Sequence, residues 1–249
     1  MVQIIAEIGS NWTDLESALS MVDMAAELGA DCVKFQDFRV DKMRRPQEWK
    51  DRCRPWENPP VSQLADRARL RGLGFLCSVW DSYGIMQAHT YGYTAIKVAS
   101  SEITNQDLLM DINDNYQRLP VWLSVPHDRQ GCVVPALTWL HRCRVTLLHC
   151  VSLYPAQSPQ SGKFESLKAF GLPVGWSSHL SYDLAGADYG YSDECKASHT
   201  AAWFAKNGAT VVEAHLRTHD TDPACPDNGE WALYPEEFAE LVKAVRDAS

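Results

Sequence analysis

No run of about 18 consecutive apolar residues occurs in the chain, which excludes a helix built to span a bilayer. An excess of basic residues is also missing: Lys and Arg number 23 against 32 Asp and Glu, for a net charge of −9. Non-specific attachment to nucleic acid or to an anionic membrane needs a basic surface, so we expect neither as a partner. There is no CxxC pair among the eight cysteines, which scatter over positions 32, 53, 77, 132, 143, 150, 195 and 225. They read as small buried hydrophobes rather than a disulfide framework. Low-complexity tracts, internal repeats and linkers are absent too. With VQIIAEIG the chain enters a strand almost at once, leaving no room for a signal peptide, so the expected location is cytoplasmic.

What is present is an alternation of short β-rich runs with helix-period runs along all 249 residues. Strands are expected at 3–8, 32–36, 74–78, 95–99, 121–125, 145–150, 173–177 and 210–215. Helical patterns lie between them at Leu15–Leu28, Val61–Arg71, Asn105–Tyr116, Lys163–Phe170, Cys195–Lys206 and Pro235–Ala248. Eight such β/α intervals predict an α/β protein, a single (β/α)8 TIM barrel filling residues 1–249 as one catalytic domain. Two connections, Asp37–Pro60 and Leu180–Ser198, are long for loops and follow strand C-termini. Both are expected to rise over the mouth where barrels keep their sites.

The strand ends carry chemistry. In VVEAHL (211–216) alternation puts Glu213 and His215 on one face with Val211. The same rule pairs Ile5 with Glu7, Lys34 with Gln36, Lys97 with Ala99, and Ser177 with His179. In a closed barrel these inward faces meet at one mouth. Interior ion pairs that merely shape the core would account for one or two such residues, but not for six strand ends, because each unmatched buried charge costs several kcal/mol. His179 and His215 end adjacent strands, an arrangement that can hold one divalent ion while leaving positions for substrate and water.

AEIGSN (6–11), GADCVKFQDF (29–38), GFLCSVWD (74–81), IKVASSEITNQDLL (96–109), LLHCVSLYP (147–155), LPVGWSSH (172–179) and GATVVEAHL (208–216) together resemble the N-acetylneuraminate (sialic acid) synthase family, whose members condense phosphoenolpyruvate with a sugar aldehyde. The resemblance implies phosphoenolpyruvate contacts at Ser78, Lys97, Ser100, Ser124, Ser152, Tyr154 and Ser177, and manganese ligands at His179 and His215, with magnesium or cobalt as other candidate ions. It implies acceptor-side residues at Glu7, Lys34, Gln36 and Asp227. Glu213, Lys97 and Glu7 are the expected catalytic residues, with Glu213 positioning or deprotonating the water that adds to the enol carbon. The implied partners are these small-molecule substrates.

The chain departs from the family pattern at Trp12, Ser178, Ala214 and the SVP of 124–126, where the family has His, Asp, Lys and STG. It ends one helix after the eighth strand, so the family's C-terminal antifreeze-like domain is expected to be missing. In its place Leu180–Ser198 is expected to cover the acceptor, using Tyr182, Tyr189, Tyr191, Asp183, Asp188 and Asp193, with Gly186 and Gly190 as bends. A metal-assisted lyase or hydrolase and a non-catalytic binding barrel are the alternatives.

Overall fold

The computed structural model describes residues 1–42, 46–116, 118–184 and 195–249. Eight parallel strands follow one another round a closed sheet: β1 Gln3–Gly9, β2 Cys32–Asp37, β3 Gly74–Val79, β4 Ile96–Val98, β5 Val121–Pro126, β6 Val145–Cys150, β7 Val174–Ser177 and β8 Ala209–Leu216. Closure comes from β1 lying beside β8 over five register pairs, from Gln3 with Val211 to Glu7 with His215. The predicted barrel is therefore the observed one, with strand ends shifted by a residue or so.

Helices α1 Leu15–Glu27, α2 Gln47–Cys53, α3 Val61–Leu70, α4 Ser82–Thr90, α5 Gln106–Asn115, α6 Val133–Trp139, α7 Ser161–Lys168, α8 Ala197–Lys206 and α9 Pro235–Ala248 surround it. Their starts are set locally. Asp14 accepts a bond from Ser17 N–H at 2.8 Å ahead of α1, and Asp81 accepts one from Gly84 N–H at 3.0 Å ahead of α4, satisfying donors that a first turn leaves open. Proline opens α9, and Glu237 accepts from the Tyr234 N–H at 2.7 Å.

Inside the barrel the side chains form layers. Ile5, Cys32, Leu76, Trp122, Leu148 and Val211 each stand two residues before a side chain of the mouth (Glu7, Lys34, Ser78, Ser124, Cys150 and Glu213) and so share its inward face, and all are buried. Gly175 belongs to this layer. A Cβ there would lie 2.6 Å from Leu148 and 2.7 Å from the Val211 carbonyl, so its missing side chain is what lets two larger neighbours fill the interior. Outside, Trp176 of β7 stacks on Phe204 of α8 at 4.6 Å between ring centroids, and His149 of β6 bonds the Pro159 carbonyl at 2.7 Å. Burial holds that imidazole down at about 4.

The segment 37–60, expected as a loop, contains α2 and a 3-10 turn over Arg54–Trp56. Seven of the cysteines have described side chains; none of the seven is in a disulfide, and five are buried. No helix among the described residues is long and apolar enough to cross a membrane.

Candidate active site

At the C-terminal mouth lies a cavity of ≈610 Å³ lined by every site residue expected from the sequence: Glu7, Lys34, Gln36, Ser78, Lys97, Ser100, Ser124, Ser152, Tyr154, Ser177, His179, Glu213, His215 and Asp227. Its floor is ionic. Glu7, Lys34, Lys97 and Glu213 are 1–3% exposed. Lys34 Nζ contacts the Glu7 carboxylate, donates to Ser78 Oγ at 3.1 Å and lies 4.0 Å from Glu213. Lys97 Nζ is 3.4 Å from Glu213, which also accepts from Ser177 Oγ at 2.8 Å. Beside them Asp227 accepts from the Ser10 N–H at 2.7 Å and from Gln36 Nε2 at 2.8 Å. Gly9 makes that approach possible. Its φ is +56°, and a Cβ there would overlap the Asp227 carboxylate.

This cluster separates its two glutamates. Burial raises the Glu7 carboxyl, and the charges of Glu213 and Asp227 add to that; Lys34 opposes them, and the result stands at about 8. Burial acts on Glu213 in the same direction but is outweighed by Lys34, Lys97 and the Ser177 bond, which hold it at about 2. Glu7 thus keeps its proton near neutrality while Glu213 is ionised, with its Oε2 buried and unpartnered among the described residues.

On the other side stands the histidine pair, with ring centroids 5.5 Å apart. His179 donates through Nδ1–H to the Val151 carbonyl at 2.7 Å, which leaves its Nε2 lone pair free. His215 Nδ1 is buried with no partner among the described residues. Burial lowers both imidazoles, His179 to about 4, so both are neutral. No third His, Cys, Asp or Glu joins them in a metal-binding group among the described residues. Two neutral imidazoles with open positions around them fit an ion completed by substrate and water, not a closed structural site. Tyr154 lies over His179 at 4.1 Å and meets Trp231 edge-on at 5.3 Å. Ser152 Oγ bonds Ser100 Oγ at 3.0 Å, placing two hydroxyls together above β4 and β6.

Several lining residues were not expected from the sequence: Trp49, Arg52, Trp80, Ser101, Asp128, Arg129, Pro226 and Trp231. Trp49 and Arg52 lie three apart on α2, the helix hidden in a segment read as loop, so the spacing was there to be used. Trp80 and Trp231 have indole N–H donors that are buried without a protein partner among the described residues.

The expected cover over the acceptor is described only at its ends. Asp183–Leu184 and Cys195–Lys196 pair as two short antiparallel strands. Tyr182 turns away from the cavity: its hydroxyl donates to Glu240 of α9, Lys196 Nζ lies 5.1 Å over its ring, and Ser198 Oγ donates to Glu240 at 3.1 Å. The base of the segment is therefore fastened to the outer helix layer, and Asp183 is exposed. Tyr189, Tyr191, Asp188, Asp193, Gly186 and Gly190 fall outside the described residues.

A model described as the NeuB family matches residues 21–187 and 180–249. An N,N'-diacetyllegionaminic acid synthase of Legionella pneumophila is 30% identical over 98% of this chain and 71% of its own length. One of the same name from Campylobacter jejuni is 28% identical over 98% and 75%. Among solved structures, an N-acetylneuraminic acid synthetase of Leptospira borgpetersenii in complex with citrate superposes with a TM-score of 0.82 at 25% identity, covering 99% of this chain and 83% of that one.

Proposed function

The chain belongs to the NeuB family, and from that premise we propose that it condenses phosphoenolpyruvate with an aldehyde-bearing sugar, releasing inorganic phosphate and a 2-keto acid three carbons longer than the acceptor. The observation that carries this reading is one cavity with a hydroxyl-and-lysine side for an anion, a pair of neutral imidazoles, and two glutamates of opposite protonation.

Ser78, Ser100, Ser124, Ser152 and Ser177 offer hydroxyl donors to the phosphate and carboxylate, with Lys97 as the buried cation beneath them. A divalent ion, manganese or a similar one, held by His179 and His215 supplies Lewis-acid polarisation of the acceptor carbonyl when bound. The new bond forms between C3 of phosphoenolpyruvate and the carbonyl carbon, and the carbonyl oxygen takes a proton. Glu7, protonated near neutrality, is the group on the floor suited to hold that proton. Water then adds at C2 and gives up one proton, which by way of solvent restores Glu7; the hydroxyl left on C2 gives its proton to the departing phosphate as the bond from C2 to the phosphate oxygen breaks, leaving the ketone. Glu213, ionised and with one oxygen unpartnered among the described residues, is the group suited to orient that water or take its proton. Tyr154, Trp49 and Trp231 give flat faces to a sugar ring at the rim.

The test is a panel of aldoses and amino-sugar derivatives incubated with phosphoenolpyruvate and manganese, read by phosphate release and product mass. Phosphate release that needs both substrates, and that disappears on chelation or in His179→Ala and His215→Ala, supports the reading. Release from phosphoenolpyruvate alone, or full turnover in chelated protein, rejects it in favour of lyase or hydrolase chemistry or a metal-free route.

A further inference from the structure

Among the described residues, four cationic side chains line the cavity: Lys34, Lys97, Arg52 and Arg129. Both lysines lie against carboxyl groups, Lys34 against the protonated Glu7 and Lys97 at 3.4 Å from the ionised Glu213. Phosphoenolpyruvate adds a carboxylate and a phosphate that is close to dianionic at neutral pH. Two lysines against one ionised carboxylate, Glu213, leave at most one positive charge on the floor, which meets that load poorly, and hydroxyls supply bonds without charge.

The rim guanidiniums differ. Arg52 donates to the Pro226 carbonyl at 3.5 Å, next in sequence to Asp227. Arg129 is exposed and makes no ion pair or side-chain hydrogen bond among the described residues. Its main chain is nevertheless fixed: its N–H bonds the Pro126 carbonyl at 3.0 Å, its carbonyl accepts from Cys132 at 2.9 Å, and His127 N–H between them bonds Cys150 at 2.9 Å. That places it above β5 and β6, on the side of Ser124, Ser152 and Ser100, three residues after Pro126.

We propose that Arg129 binds the phosphate of phosphoenolpyruvate, closing from the rim a site whose floor is made of serine hydroxyls and Lys97. A guanidinium offers parallel N–H donors that match two phosphate oxygens, which an ammonium cannot do. The proposal rests on the phosphoenolpyruvate reading above.

Calorimetry on the full chain separates the two, with phosphoenolpyruvate as one probe and inorganic phosphate as the other. Arg129→Gln is expected to weaken both ligands by on the order of tenfold to a hundredfold, the range for losing a hydrogen bond to a charged group. Arg129→Lys should recover part of that loss, and Arg52→Gln should leave both affinities unchanged. Arg129→Gln binding as tightly as the parent, or Arg52→Gln weakening them as much, overturns the assignment, the second by showing a diffuse field rather than a contact. A parent chain that binds phosphate through Arg129 but not phosphoenolpyruvate sinks the functional reading alone.

Discussion

At the scale of the residue, the site works by giving chemically identical side chains different surroundings. Glu7 and Glu213 face each other across Lys34, yet only Glu213 gains Lys97 and Ser177 as well. Glu7 therefore holds a proton that the unfolded chain gives up above its usual 4.5. The contribution of this group to stability is full below that value and is lost as pH rises toward 8 and beyond. Glu7→Gln, which cannot lose a proton, is expected to gain stability relative to the parent between about pH 5 and 9. Urea midpoints across that range measure it, and parallel curves for the two proteins would show that Glu7 is ionised in the fold. Glu213 has the opposite sign, contributing above its ordinary value and losing that contribution as acid takes it toward about 2.

At the scale of the element, short strands carry inward residues at strict intervals, so one substitution reaches its neighbours on both sides. Gly175 sits between Leu148 of β6 and Val211 of β8 in the layer beneath the ionic floor. Gly175→Ala is expected to destabilise by about 1–3 kcal/mol, the usual cost of overpacking. A lowered denaturation midpoint together with weakened phosphoenolpyruvate binding is the expected pair of results, since Ser177 follows two residues on; an unchanged midpoint would mean that β7 has room to shift. The paired base of the 180–198 segment answers to a different element. Glu240 of α9 receives both Tyr182 and Ser198, which ties that connection to the helix layer and not to the cavity.

At the scale of the whole molecule, closure joins residues far apart in sequence, and α9 secures the join. Arg246 donates to the Val2 carbonyl at 2.6 Å and to Asp31 at 2.7 Å, linking the last helix to the entries of β1 and β2, while Phe238, Leu241 and Val245 are fully buried against the barrel. Arg246→Ala removes partly buried charge-assisted bonds and is expected to cost about 1.5–3 kcal/mol. Thermal or urea unfolding checks this, and the loss should appear in a single transition because the closed sheet couples β1 to β8. A separate early transition confined to α9 would show that the helix is not part of the cooperative unit.

The sequence by itself determined the strand and helix periods, and hence the barrel, because alternation at 211–216 or a helical repeat at 235–248 is a local property of the chain. It also determined which face of each strand end is polar, so Glu7, Lys34, Gln36, Lys97, Ser177, His179, Glu213 and His215 line one cavity. Tertiary structure alone decided the rest. Which glutamate is protonated depends on how many lysines each one meets across the barrel, a count that no single segment holds. The rim residues Arg129 and Trp231 stand on connections whose path follows from closure rather than from any periodicity, and the spacing of Trp49 and Arg52 on α2 does not say that this helix lies over the mouth. Tyr182, read as part of a cover, turns outward because α9, 58 residues later in the chain at Glu240, offers a carboxylate that the local sequence does not contain.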